Sequence, residues 1–163
     1  MVDKYIKKAI NVIDFIANIL MILLVGTVFF EIVLRAIFNY PIIYTTELTQ
    51  IFFPWLIFLA AINVTYKKEH INIAIIKRSL SKKLHKFLDL FIKLVMLFFS
   101  ILMIKASYDL SIQVMNRRMP MLGISRAWFY SSIIVGFIGI SIIILVQIFQ
   151  DIYNLSNNKT SKN

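Results

Sequence analysis

Cysteine is absent from the 163-residue chain, which removes disulfides, thiolate metal sites, iron–sulfur clusters and cysteine nucleophiles together. Histidine is nearly as scarce. His70 and His85 both fall in one basic stretch between apolar runs, whereas haem held between membrane helices needs imidazoles inside the spans, so a cytochrome subunit is not expected and no cofactor is. With 4 glycines and 3 prolines, the chain has no Gly-rich phosphate loop. It also lacks a His-Glu-x-x-His helix and a nucleophile elbow, so nothing marks it as an enzyme. Acidic residues are few as well: 8 against 18 Lys and Arg, a net charge of +10. Those cations sit in short runs between apolar spans rather than on a soluble face with stacking aromatics, which argues against a nucleic-acid partner.

What remains is apolar. Hydrophobic residues make up 60% of the chain and mean hydropathy is +0.80, beyond the range of an ordinary soluble domain. Residues 48–66 form an uncharged run, approached through Thr45, Thr46 and Glu47 and left through Lys67, Lys68, Glu69 and His70. About 19 residues at 1.5 Å each rise about 29 Å, the depth of a bilayer's hydrocarbon core. The Thr45 and Thr46 hydroxyls are placed to cap free amides at the start of this helix. Glu47 sits in its first turn, where the helix dipole favours negative charge. The first apolar run follows a basic lead (Lys4, Lys7, Lys8) but ends in no small-residue cleavage site, so it reads as a retained helix rather than a signal peptide. The expected fold is an all-α membrane protein. It has four transmembrane helices, at about 10–34, 47–66, 87–114 and 127–150, in one domain that ends near residue 153, and a polar, disordered tail at 154–163.

The loop between the second and third spans carries Lys67, Lys68, Lys77, Arg78, Lys82 and Lys83. Within it, 71–80 mixes isoleucines with cations and is too short to cross. It is expected to lie as a short interfacial amphipathic helix on anionic phospholipid, the alternative being a solvated basic linker. Counting Lys and Arg over alternate loops gives twelve on the side of the termini against four on the other, which predicts a multi-pass inner-membrane protein with both termini cytoplasmic.

Charges near the spans are candidate contacts. Glu31 and Arg35 are spaced i, i+4 and can pair with each other or meet a partner subunit. Asp89 with Lys93, and Lys105 with Asp109, share that spacing, and Lys105 and Asp109 are alternatively read as contacts to another membrane protein. Asp14 and Asn18 offer a polar face to headgroups or another helix. Pro54 removes a helical hydrogen bond, leaving a notch that Trp55 can fill. Arg117, Arg118 and Arg126 belong to a turn-rich outer loop. Trp128, Phe129 and Tyr130 form an aromatic belt, and Gly136 and Gly139 permit close helix approach.

Arg35, Phe38 and Asn39, then Glu47, Leu48, Trp55 and 59–61, then His70 and Ile71 form one pattern; Pro120, Leu122, Gly123, Ile124, Tyr130 and Gly136 form a second. In order and spacing they resemble the DctQ family, the small membrane subunit of tripartite ATP-independent periplasmic (TRAP) transporters. Tyr44, Thr46 and Glu47 stand where that family often has Trp-x-Glu-Glu, and Ile134 where it usually has proline. The resemblance implies an accessory role beside a large membrane subunit that couples organic-anion uptake to sodium, with sodium bound in that partner. A periplasmic binding protein delivers the anion, of the C4-dicarboxylate or sialic acid class. It makes Glu31, Arg35, Glu47, Trp55, Lys105 and Asp109 candidates for contact with the large subunit, with Arg35 and Glu47 able to pair across their loop. Arg117, Arg118 and Arg126 become candidates for docking the binding protein. The alternatives are a self-contained proton-coupled exporter using Glu31, or a structural four-helix assembly factor.

Overall fold

The computed structural model describes residues 2–39, 43–67 and 82–160. They form four helices: α1 (Val2–Phe38), α2 (Tyr44–Tyr66), α3 (Lys82–Val114) and α4 (Ala127–Thr160). All four are long and apolar enough to cross a membrane, over Ile6–Phe38, Tyr44–Tyr66, Phe87–Val114 and Ala127–Asp151. No strand forms among the described residues. The expected interfacial helix, with Lys68, Lys77 and Arg78, lies outside them.

The helices form an open row. α1 packs on α2, α2 on α4, and α4 on α3, leaving α1 and α3 as the flanks. The buried core lies along α1, α2 and α4: Ile10 and Ala17, Leu59 and Ile62, and Ile140, Ile143 and Ile144. Two glycines let α4 approach α2 closely. A Cβ built on Gly136 would stand 2.6 Å from Cβ of Phe58, and one on Gly139 would stand 2.6 Å from Cδ1 of Ile62. α3 packs through a seven-residue repeat of Lys93, Ser100 and Ser107, all buried, with Phe99 edge-on to Phe137 at 6.0 Å. Small residues suit this setting, because helices in lipid associate by close packing rather than by apolar burial.

Two boundaries differ from expectation. α2 begins at Tyr44, so Thr45 and Thr46 lie inside its first turn. Residue 43 holds the cap position, with no side-chain cap hydrogen bond, and the Thr45 hydroxyl is buried without a partner. α4 continues through Thr160, past the expected end of the span and into the stretch read as irregular tail. No glycine or proline interrupts 140–160, so polarity alone does not stop the helix. Pro54 is accommodated inside α2, where it is buried.

Candidate functional site, the loop clamp and the polar cross-links

At the end of the row where α1 meets α2 and α3 meets α4, Glu47 projects from the first turn of α2 to the loop 115–126. Its carboxylate accepts the Met121 N–H, at 3.0 and 3.2 Å to its two oxygens, and the Leu122 N–H at 2.7 Å. The residue is only 8% exposed. The loop it grips is closed on itself. Met119 N–H donates to the Ile124 carbonyl at 2.8 Å, Gly123 N–H to Met119 at 3.0 Å, and Arg126 N–H to Arg117 at 2.9 Å. Gly123 has φ +66°, a left-handed conformation open to glycine without strain. The Ser125 hydroxyl donates to the Met115 carbonyl at 2.6 Å and accepts the Ala127 N–H at 3.2 Å, fixing the loop to the start of α4. The loop is thus an ordered cap on the helix row. A carboxylate is suited to hold it, because hydrogen bonds to an ionised acceptor are stronger than neutral ones.

At the opposite end, polar side chains join each neighbouring pair of helices. Asn63 of α2 donates to Asp14 of α1. Gln147 of α4 donates to the Thr65 carbonyl of α2 at 2.9 Å. Lys93 of α3, 1% exposed, pairs with Asp89 on its own helix at 2.8 Å and also with Asp151 of α4. The Asp89–Lys93 spacing and the polar face at Asp14 are visible in the sequence. Asp151, Asn63 and Gln147 were not singled out, since their partners lie 49 to 82 residues away.

The remaining candidates are placed as follows. Arg35 and Glu47 do not pair: Arg35 lies 3.7 Å from Glu31 on its own helix, with side chains 62% and 23% exposed, while Glu47 is committed to the loop amides. Trp55 packs within the chain against Trp128, ring centres 6.1 Å apart, so its ring is already partnered. Lys105 and Asp109 are both exposed and form no ion pair among the described residues, despite their spacing. Arg117, Arg118 and Arg126 are exposed on the capped loop. Arg126 lines a pocket of about 290 Å³ with Gln50, Met119, Phe129 and Tyr130. Lys67 is exposed just beyond α2, and Lys82 and Lys83 open α3. Among the described residues no three His, Asp or Glu side chains gather as a metal site.

The model of the family described as "Tripartite ATP-independent periplasmic transporters, DctQ component" matches residues 24–154, most of the chain. The chain belongs to the DctQ family. Two curated proteins of Haemophilus influenzae, provisionally named TRAP transporter small permease proteins, are similar to it. One is 27% identical over 158 residues, covering 97% of this chain and 93% of the relative; the other is 26% identical over 149 residues, covering 91% of each. DctQ is a transporter membrane component and not an enzyme family, and with four spanning helices the chain is a multi-pass protein of the inner membrane. Several of the residues behind the resemblance act together. Glu47 and the turn through Pro120, Leu122 and Gly123 form one clamp, and Gly136 sets the α2–α4 distance.

Proposed function

We propose that this DctQ-family subunit is an accessory scaffold. It braces a large TRAP membrane subunit that takes up an organic anion with sodium, the anion being of the C4-dicarboxylate or sialic acid class and delivered by a periplasmic binding protein. One observation carries the reading. The two buried charges among the described residues, Glu47 and Lys93, are each spent on contacts that hold the helix row together, while both flanking helices keep large apolar side chains uncovered. A chain that moved solute by itself would call for ionisable groups or broken helices around a site at mid-membrane.

In this reading both termini are cytoplasmic. Lys67, Lys68, Lys77, Arg78, Lys82 and Lys83 lie toward anionic lipid, and the loop with Arg117, Arg118 and Arg126 faces the periplasm, where the binding protein arrives. Glu31, which a self-contained exporter would use, is beside Arg35 at 3.7 Å near the end of α1, and no contact favours that reading. Coexpression with a large TRAP membrane subunit tests the scaffold role: a tag on this chain recovers that subunit from detergent extracts. Recovery of this chain alone, or only with copies of itself, overturns it.

A further inference from the structure

We infer that α3, and not α1, is the flank that docks the large membrane subunit, through an exposed stripe centred on Lys105 and Asp109. The inference rests on the scaffold reading above and adds the face and its chemistry. The seven-residue repeat of Lys93, Ser100 and Ser107 turns one side of α3 to α4. At 3.6 residues per turn, Phe98, Leu102, Lys105, Asp109 and Ile112 then line the opposite side, and all five are exposed.

The two flanks differ in how their charges are satisfied. On α1, Glu31 and Arg35 lie 3.7 Å apart near the end of the helix, and the exposed side below them is apolar, with Phe15, Ile22 and Phe29. That surface suits lipid chains. On α3, Lys105 and Asp109 lie within the apolar span Phe87–Val114, about 13 Å and about 7 Å inside its Val114 end at 1.5 Å per residue. Neither has an ion pair among the described residues, and Gln113 is exposed one turn beyond. Charged side chains within an apolar span call for a protein partner or a route to the headgroups.

A second copy of the chain fits this stripe poorly. About a twofold axis along the membrane normal, residues of equal depth meet, so Lys105 would oppose Lys105 and Asp109 would oppose Asp109. A different helix can place an acceptor opposite Lys105 and a donor opposite Asp109. In a tripartite transporter the other membrane component supplies such a helix.

Photo-cross-linking in membranes holding the coexpressed large subunit tests this. Leu102→benzoylphenylalanine and Ile112→benzoylphenylalanine place the probe on the stripe, and Ile22→benzoylphenylalanine and Phe29→benzoylphenylalanine place it on α1. Adducts with the large subunit are expected from the stripe and not from α1. In the same membranes Lys105→Glu is expected to weaken association about thirtyfold, the loss for reversing one member of a desolvated pair. Adducts from α1 only, adducts of twice this chain's mass from the stripe, or unchanged association of Lys105→Glu each overturn the proposal. If the unsubstituted chain recovers the large subunit while the stripe stays silent, the docking face is wrong and the scaffold role stands. If it recovers none, the scaffold role itself fails.

Discussion

Replacing Glu47 with alanine removes the acceptor for two backbone amides at once. The Met121 and Leu122 N–H groups both point at this carboxylate, at 2.7 to 3.2 Å, and a hydrogen bond to a charged group contributes about 1.5–3 kcal/mol. Because the loop borders water, the lower figure applies to each amide, which gives a loss of about 3 kcal/mol. At 1.4 kcal/mol per tenfold, that raises the population of open loop by roughly two orders of magnitude. Hydrogen–deuterium exchange of the Met121 and Leu122 amides in lipid nanodiscs reads this opening directly. Glu47→Ala should speed both amides by roughly a hundredfold. Glu47→Gln should fall between, since its amide oxygen still accepts one N–H while its NH₂ faces the other donor. Glu31→Ala, on the far flank, should leave them unchanged. Wild-type exchange in Glu47→Ala would refute the clamp.

Lys93→Met leaves Asp89 and Asp151, 28% and 34% exposed, without the cation between them. Because water reaches both carboxylates, it should lower stability by about 2 kcal/mol, less than the loss of one partner from a fully buried ion pair; a thermal unfolding midpoint in detergent matching wild type would contradict this. Gln147→Leu breaks a single neutral cross-link to Thr65 and should cost only about 0.6 kcal/mol, the usual worth of such bonds between membrane helices, so its midpoint should stay far closer to wild type than that of Lys93→Met. Gly136→Ala drives a Cβ against the Cβ of Phe58, which cannot move without its backbone, whereas Gly139→Ala meets the mobile end of Ile62. The first should destabilise by about 1–3 kcal/mol and more than the second; the reverse order in the same unfolding assay would discredit the α2–α4 register. A reporter active only outside the cell, fused after Tyr153, should be silent, and activity there would reverse the proposed orientation.

The second and fourth spans were legible because an uncharged run of about twenty residues admits few structures in water or lipid, and the first and third because shorter uncharged stretches, 15–30 and 94–104, carry their length. Contacts between spans were not. The i, i+4 rule finds Asp89–Lys93 but also suggests Lys105–Asp109, which does not form; spacing places two residues on one face without fixing what each turns toward. Lys93 faces Asp151 across the α3–α4 seam, while Lys105 and Asp109 face away from it. Glu47 drew attention as a first-turn acid, and that logic concerns its own helix; the partner it uses is a turn 74 and 75 residues on, made available because Gly123 lets the loop fold back. The Arg35–Glu47 pair was plausible from loop length alone and fails because each residue has a nearer partner. Trp55 is expected to be a subunit anchor; the parallel packing of α2 on α4 also brings its ring to Trp128, a contact within the chain that spacing alone does not reveal.

The central claim is that this subunit supports transport without providing the path. Purified alone into vesicles under an inward sodium gradient, it should take up no C4-dicarboxylate or sialic acid, and uptake should appear when the large subunit and a loaded binding protein are added. Uptake by vesicles holding this chain alone would contradict the account.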